Sequence, residues 1–158
     1  MNIDIIAIGT IKEKYLKEGI AEYQKRLQPF CQFSIIERPE VRLSQNPSPA
    51  EIQQALKKEA DDIVSHLPKT SKIVSLCIEG KQVSSEDFAK DLEKWVIEGA
   101  SSITFIIGSS HGLDQELKDQ GAKLSFSKMT FPHQLMRLIL VEQIYRGMMI
   151  QANRAYHK

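Results

Sequence analysis

Cysteine is scarce: Cys31 and Cys77 are the only two in 158 residues, both in strand-like runs and neither at a metal-ligand or redox spacing. They read as reduced core cysteines of a cytoplasmic protein. Long apolar runs are missing as well. Leu138-Ile139-Leu140-Val141 is the longest candidate, far short of the roughly eighteen residues a membrane span needs. Met1-Asn2-Ile3-Asp4 has no basic region followed by an apolar stretch, so no secretory signal is expected. The four histidines, His66, His111, His133 and His157, include no pair at zinc-ligand spacing, and no metal site is expected. A P-loop is absent, Gly108-Ser109-Ser110-His111-Gly112 departs from the dinucleotide fingerprint, and no Ser or Cys sits in a nucleophile elbow. Covalent catalysis is therefore disfavoured. What is left is a site that works by positioning and electrostatics on a substrate or cofactor carrying its own reactivity.

The residues that are present describe one domain spanning 1–158, with 42% hydrophobic and 26% charged residues. The net charge of +1 conceals an asymmetry. From residue 128 onward, Lys128, Arg137, Arg146, Arg154 and Lys158 face Glu142 alone, whereas the preceding chain carries 16 basic and 19 acidic residues. A basic end on a nearly neutral protein suits an anionic partner such as nucleic acid; charge alone suits solvated surface residues equally well.

Strand-like and helix-like segments alternate. Strands are expected at Asn2 to Gly9, Gln32 to Glu37, Ile73 to Ile78 with a turn at Gly80, Ile103 to Ile107, and Ala122 to Phe126. Helices are expected around Tyr15 to Leu27, after the capping box Ser48-Pro49-Ala50-Glu51, across Phe88 to Trp95 with Gly99 as the stop, over Asp114 to Gln120, and from about Pro132 to Gln151. The second helix turns Ile52, Leu56, Ile63 and Leu67 inward. This rhythm predicts an α/β fold, a mostly parallel sheet with helices on both faces. Ligands of such sheets bind beyond the carboxyl ends of the strands, and Gly108 closes one of them.

The last helix is apolar nearly all round, from Leu135 and Met136 to Met149 and Ile150, and must be buried on more than one side. In so small a domain a homodimer through this helix is the economical expectation. His133 and Arg137, four apart, share a face at its start. They would bring a titratable group and a cation to the Gly108 strand end, or else Arg137 would simply pair Glu142 or Asp114. Tyr156-His157-Lys158 would ordinarily be a frayed tail.

A set of segments carries a resemblance along the whole chain. They are Ile78-Glu79-Gly80-Lys81, Ser84-Ser85-Glu86-Asp87-Phe88-Ala89, Phe105-Ile106-Ile107-Gly108, Leu124 through Gln134, Glu142-Gln143-Ile144-Tyr145-Arg146, and the terminal Tyr156-His157-Lys158. With these the chain resembles the ribosomal RNA large subunit methyltransferase H family of SPOUT-class enzymes. The resemblance implies an α/β domain with a C-terminal trefoil knot, active as a homodimer. It implies methylation, with S-adenosyl-L-methionine as cofactor, of N3 of a pseudouridine in 23S rRNA on the assembled ribosome. By the same resemblance Leu76, Gly108 and the loop Ser127, Lys128, Met129, Thr130, Phe131, Pro132 would hold the cofactor. Arg137, Arg154, Tyr156 and His157 would meet RNA, with Arg137 also at the reacting centre, and His133 or His157 would serve as the base. A β-branched residue at Gly108 would then block the cofactor without unfolding the chain.

The chain departs from the family pattern at three positions. Ser109 replaces a second glycine after the fourth strand, His111 stands where Asn or Asp is frequent, and Gly147 lies mid-helix where Ala is usual. The last costs on the order of 1 kcal/mol of helix propensity.

Overall fold

The computed structural model describes residues 1–158. Along the chain run β1 (Asn2–Ile8), α1 (Lys14–Leu27), β2 (Gln32–Arg38), α2 (Pro49–Ser65), β3 (Ser71–Gln82), α3 (Ser85–Ile97), β4 (Ser102–Ile107), α4 (Gln115–Lys118), β5 (Ala122–Ser125) and α5 (His133–Gln151). The strands form one sheet in the order β2-β1-β4-β3-β5, every neighbouring pair parallel. No helix is long and apolar enough to cross a membrane.

Strand β4 shows why the sheet is covered twice. All six of its residues are buried, so neither face can be left to water. Side chains alternate between the faces. Ile103, Phe105 and Ile107 join Ile3, Ile5 and Ala7 beneath α1, α3 and α5. Ile106 joins Ile6 and Ile8 beneath α2 and α4, which contribute Ala60, Ile63 and Leu117. The expected architecture, a parallel sheet with helices on both faces, is the one observed.

Local signals set the helix ends. Ser48 Oγ accepts from Glu51 N at 3.2 Å while Ser48 N donates to Glu51 Oε1 at 3.4 Å, and Pro49 opens α2. Ser84 caps α3 in the same way through Asp87 N, and Gly99 at φ +100° ends it. Leu67 falls just beyond α2 but still packs on its core.

Two expectations need correction. Strand β3 does not stop at Ile78: its pairing with β5 breaks after Leu76↔Leu124 and resumes at Lys81↔Leu124. Cys77 to Gly80 therefore loop out as a bulge, and the turn residue Gly80 lies inside a longer strand. Cys77, carried on that bulge, is only half-buried, so Cys31 is the one core cysteine. Burial pushes the Cys31 thiol up to about 11.

Helix α5 lies between α1 and α3 on the sheet, burying Leu140, Val141, Ile144, Tyr145 and Met148. Gly147 is buried against α3, where a Cβ would come within 3.0 Å of Leu92 Cδ1, so its helix-propensity cost goes with close helix packing. Leu135, Met136, Leu138, Ile139, Met149 and Ile150 remain half-buried along the outer side.

Candidate active site

The carboxyl ends of β3, β4 and β5 meet at one edge of the molecule. Ser75 of β3 stands opposite Ile106 of β4, so Leu76 and Gly108 lie near one another where the β3–β4 pairing stops, at the end of β4 and midway along β3. Leu76 in turn pairs with Leu124 of β5, three residues before Ser127. The topology thus collects Leu76, Gly108 and the loop from Ser127 to Pro132, eight residues drawn from three separated stretches.

The loop is shaped by its own hydroxyls. Ser125 Oγ donates to the Ser127 carbonyl at 3.0 Å, and Ser127 Oγ accepts from Met129 N at 3.0 Å. Lys128, Met129 and Thr130 are exposed, Met129 by 73%. The backbone N–H groups of Lys128, Thr130 and Phe131 have no partner within the chain. Such a loop presents main-chain donors beside the half-buried Leu76 side chain. That is the chemistry an adenine edge and an apolar ring face require, and the residues fit an adenosyl group.

Next to the loop is an open cleft of about 300 Å³ between the start of α3 and the outer side of α5. Val83, Phe88, Phe126, Phe131 and Ile139 form apolar walls, with Ser84, Ser85 and Gln143 at the rim. The rim is ordered: Ser85 Oγ donates to Gln143 Oε1 at 2.7 Å, and Gln143 Nε2 donates to Glu142 Oε2 at 2.8 Å.

From that rim a polar chain leads to the C-terminal tail, which is docked. Glu142 Oε1 accepts from Arg146 Nη2 at 2.6 Å and from the Tyr156 hydroxyl at 3.0 Å. Tyr156 also meets Tyr23 Oη at 3.4 Å and packs edge-on against Tyr145. Burial, helped by Tyr23 and Glu142, pushes its phenol above the usual tyrosine range. Arg146 Nη1 lies 3.2 Å from His157 Nδ1, and His157 Nε2 lies 2.7 Å from Glu86 Oε1. A guanidinium can only donate, so this geometry assigns Nδ1 as acceptor and the ring proton to Nε2, facing Glu86. The His157 hydrogen bond holds the Glu86 carboxyl below its ordinary range. Arg154 is exposed and rests its guanidinium over the Phe30 ring.

The two candidate bases are not brought together. His133 opens α5, whereas the His157 ring folds back onto Arg146; the helix between His133 and Arg146 spans roughly 20 Å. Arg137 also departs from expectation. It is 1% exposed, donates to Glu37 Oε2 at 2.7 Å and to the Gly9 carbonyl at 3.2 Å, and leaves its Nε unpartnered. Neither Glu142 nor Asp114 is its partner, and the buried guanidinium is not offered to an RNA phosphate. It ties α5 to the ends of β1 and β2 instead. Burial draws its pKa down, opposed by Glu37.

Gly108 is a glycine for an internal reason. A Cβ there would lie 2.3 Å from the Gly112 carbonyl oxygen and 2.8 Å from Leu113 Cγ. The space expected for a ligand is filled by the turn Gly108–Gly112, itself closed by Gly112 N donating to the Ser109 carbonyl at 2.9 Å. Two features had no counterpart in the sequence reading: the pairing of Glu86 with His157, and the buried carboxylate of Glu59 behind the turn. The second had a signal, since Glu59 falls on the same helical stripe as Leu56 and Ile63.

The class of fold is a parallel α/β sheet with a loop gathered at its carboxyl ends, the place where open sheets of this kind bind ligands. A family model described as "Predicted SPOUT methyltransferase" matches residues 1–157. The chain is 52% identical to a protein of Ligilactobacillus salivarius named ribosomal RNA large subunit methyltransferase H, over 100% of both chains. It is 50% and 48% identical to proteins of the same name from Streptococcus uberis and Carboxydothermus hydrogenoformans, again over 100% of each chain. The chain belongs to the SPOUT methyltransferase family, among the ribosomal RNA large subunit methyltransferase H proteins.

Proposed function

We propose that this chain is a cytoplasmic homodimeric enzyme that transfers a methyl group from S-adenosyl-L-methionine to N3 of a pseudouridine in 23S rRNA within the assembled ribosome. The observation that carries the reading is the convergence of Leu76, Gly108 and the Ser127–Pro132 loop on one side of the sheet, with free main-chain donors in the loop. When bound, the cofactor supplies an electrophilic methyl whose departure leaves a neutral thioether. The relatives' name, with its reference to large-subunit ribosomal RNA, supports the substrate. The position of α5, returning from the sheet-edge strand β5 to pack against α1, is in keeping with the family's knotted C-terminal segment.

On this reading the chain binds, orients and manages one proton. The loop amides and Leu76 hold the adenosyl group, and the neighbouring cleft, walled by Phe126 and Phe131, takes the target base against aromatic faces. N3 of the base must lose its proton as the methyl arrives. His133 opens α5 on the face it shares with Arg137, outside the cleft's lining; His157, with both ring nitrogens engaged by Arg146 and Glu86, must release one contact to act. The tail docks beside the chain's own cleft, since Tyr156 reaches Glu142 next to Gln143 and His157 reaches Glu86 next to Ser85; both meet the RNA at that rim, with Arg154 adding a cation from its exposed place over Phe30. For a two-fold pairing of α5 helices the half-buried Ile150, which belongs to neither the core nor the cleft, gives an apolar foothold.

Methyl transfer from labelled S-adenosyl-L-methionine to intact ribosomes, free large subunits and transfer RNA tests the proposal. Incorporation into pseudouridine of intact ribosomes is expected. Label found only in transfer RNA overturns the substrate, and donor binding without transfer to any of the three makes the chain a binding module.

A further inference from the structure

Helix α2 turns a stripe of Ala55, Leu56, Ala60 and Ile63 into the core, and on that stripe sits a carboxylate, Glu59, only 4% exposed. Burying a carboxyl group without hydrogen bonds is costly, and Glu59 has two specific ones. Its Oε2 accepts from Val41 N at 2.9 Å, and its Oε1 accepts from the Ser109 hydroxyl at 3.1 Å. No lysine or arginine neutralises it; the titratable side chains facing it are Glu40 and His111. Ser109 follows Gly108 directly and is the position where this chain replaces the second glycine of the family pattern. The carboxylate and the departure from the pattern are therefore one feature. Val41 belongs to the proline-punctuated segment between β2 and α2, which has no other buried polar anchor of this kind.

We infer that Glu59 is a positioning residue for donor binding: through Ser109 it fixes the backbone at Gly108, and through Val41 it holds the β2–α2 segment to the same point. The inference rests on the proposal that S-adenosyl-L-methionine binds at the Gly108 strand end. The turn is already closed on its inner side by Gly112 against Gly108. Glu59 supplies the outer restraint, without which Ser109 faces an apolar helix with an unpaired hydroxyl.

The test is calorimetric titration of the full chain with S-adenosyl-L-methionine, with thermal unfolding measured in parallel. Glu59→Ala is expected to weaken donor affinity about tenfold, the loss of roughly one well-made buried hydrogen bond. Glu59→Gln is expected to restore it to within about twofold of the parent. Its amide oxygen can accept from Val41 N while its amide NH2 donates to Ser109 Oγ, whose hydroxyl serves either role. A purely structural role would lower the melting temperature without this selective rescue of affinity. Ser109→Gly is expected to weaken binding in the parent and to have no further effect on Glu59→Ala. Should Glu59→Ala not fold, Ser109→Gly alone carries the same expectation. Unchanged affinity in Glu59→Ala or Ser109→Gly, or equal Ser109→Gly effects in both backgrounds, overturns the inference while donor binding stands. A parent chain that binds no donor overturns the donor site and this inference together.

Discussion

Arg137 shares its buried guanidinium between a carboxylate from β2 and a carbonyl from the end of β1, and the consequence is unequal for the two partners. Glu37 is 40% exposed and can be rehydrated when its partner is lost; Arg137 cannot. Glu37→Ala should therefore cost about 3 kcal/mol in urea unfolding, the scale of an uncompensated buried charge, whereas Arg137→Met should cost less. A Glu37→Ala loss below about 1 kcal/mol would mean that the pair behaves as a surface one. Gly108→Ala is expected to lower stability by about 1–3 kcal/mol, as overpacking does, because its methyl meets the Gly112 backbone. An unaltered melting temperature with lost donor affinity would restore the idea that a ligand fills that space. Glu59 gives a prediction with a definite sign. Burial raises its folded pKa above the unfolded value, so ionisation disfavours the fold, and the resulting deficit is complete above the folded pKa. Glu59→Gln should be more stable than the parent at pH 7, with the gap closing as pH falls from the raised folded pKa to the ordinary unfolded one. A gap independent of pH would contradict the assignment. Sequence spacing pointed Arg137 to Glu142 or Asp114 because local and late-chain acids are the ones a linear reading can rank. Its true partner is 100 residues away, brought near only by the strand order.

Among elements, the tail and α5 carry the most consequence. Tyr156 and His157 dock on Glu142, Arg146 and Glu86 rather than fraying. Removing Tyr156 to Lys158 should leave donor affinity within about twofold and abolish methylation; full activity in the truncated chain would make the tail a structural strap only. Since the Glu86 carboxyl is held below its ordinary range by His157, its contribution is present above the unfolded carboxylate pKa and fades as pH falls through the lower folded one. The protection factor of the Tyr156 amide, taken against intrinsic exchange at each pH, should fall over that acid window, and an unchanged factor there would contradict the clasp. The alternation of strands and helices was legible throughout, from isoleucine-rich runs such as Ile3–Ile8 and from caps at Ser48, Ser84 and Gly99. The β3 bulge was not, because a glycine at 80 flanked by polar residues reads as a turn whether the chain leaves the sheet or rejoins it. Nor was the docking of the tail legible, since it depends on Glu86, an acid of another helix.

At the scale of the whole molecule, five parallel strands bring the candidate donor residues to one edge, and α5 leads from that edge to a tail that folds back beside the cleft's rim. The proposed assembly is a homodimer through α5. Sedimentation should find a dimer, and Ile150→Arg should shift it to monomer while sparing the fold; a parent that sediments as a monomer would contradict the homodimer. The strand-end cluster was legible through resemblance, and its physical basis through the rule that open parallel sheets bind ligands at their carboxyl ends. The measurement that reaches the central claim most directly is backbone amide exchange with and without saturating S-adenosyl-L-methionine. Slowed exchange at Lys128, Thr130 and Phe131, the amides without partners in the chain, is the predicted result. Saturating donor that leaves these three amides unprotected would contradict it.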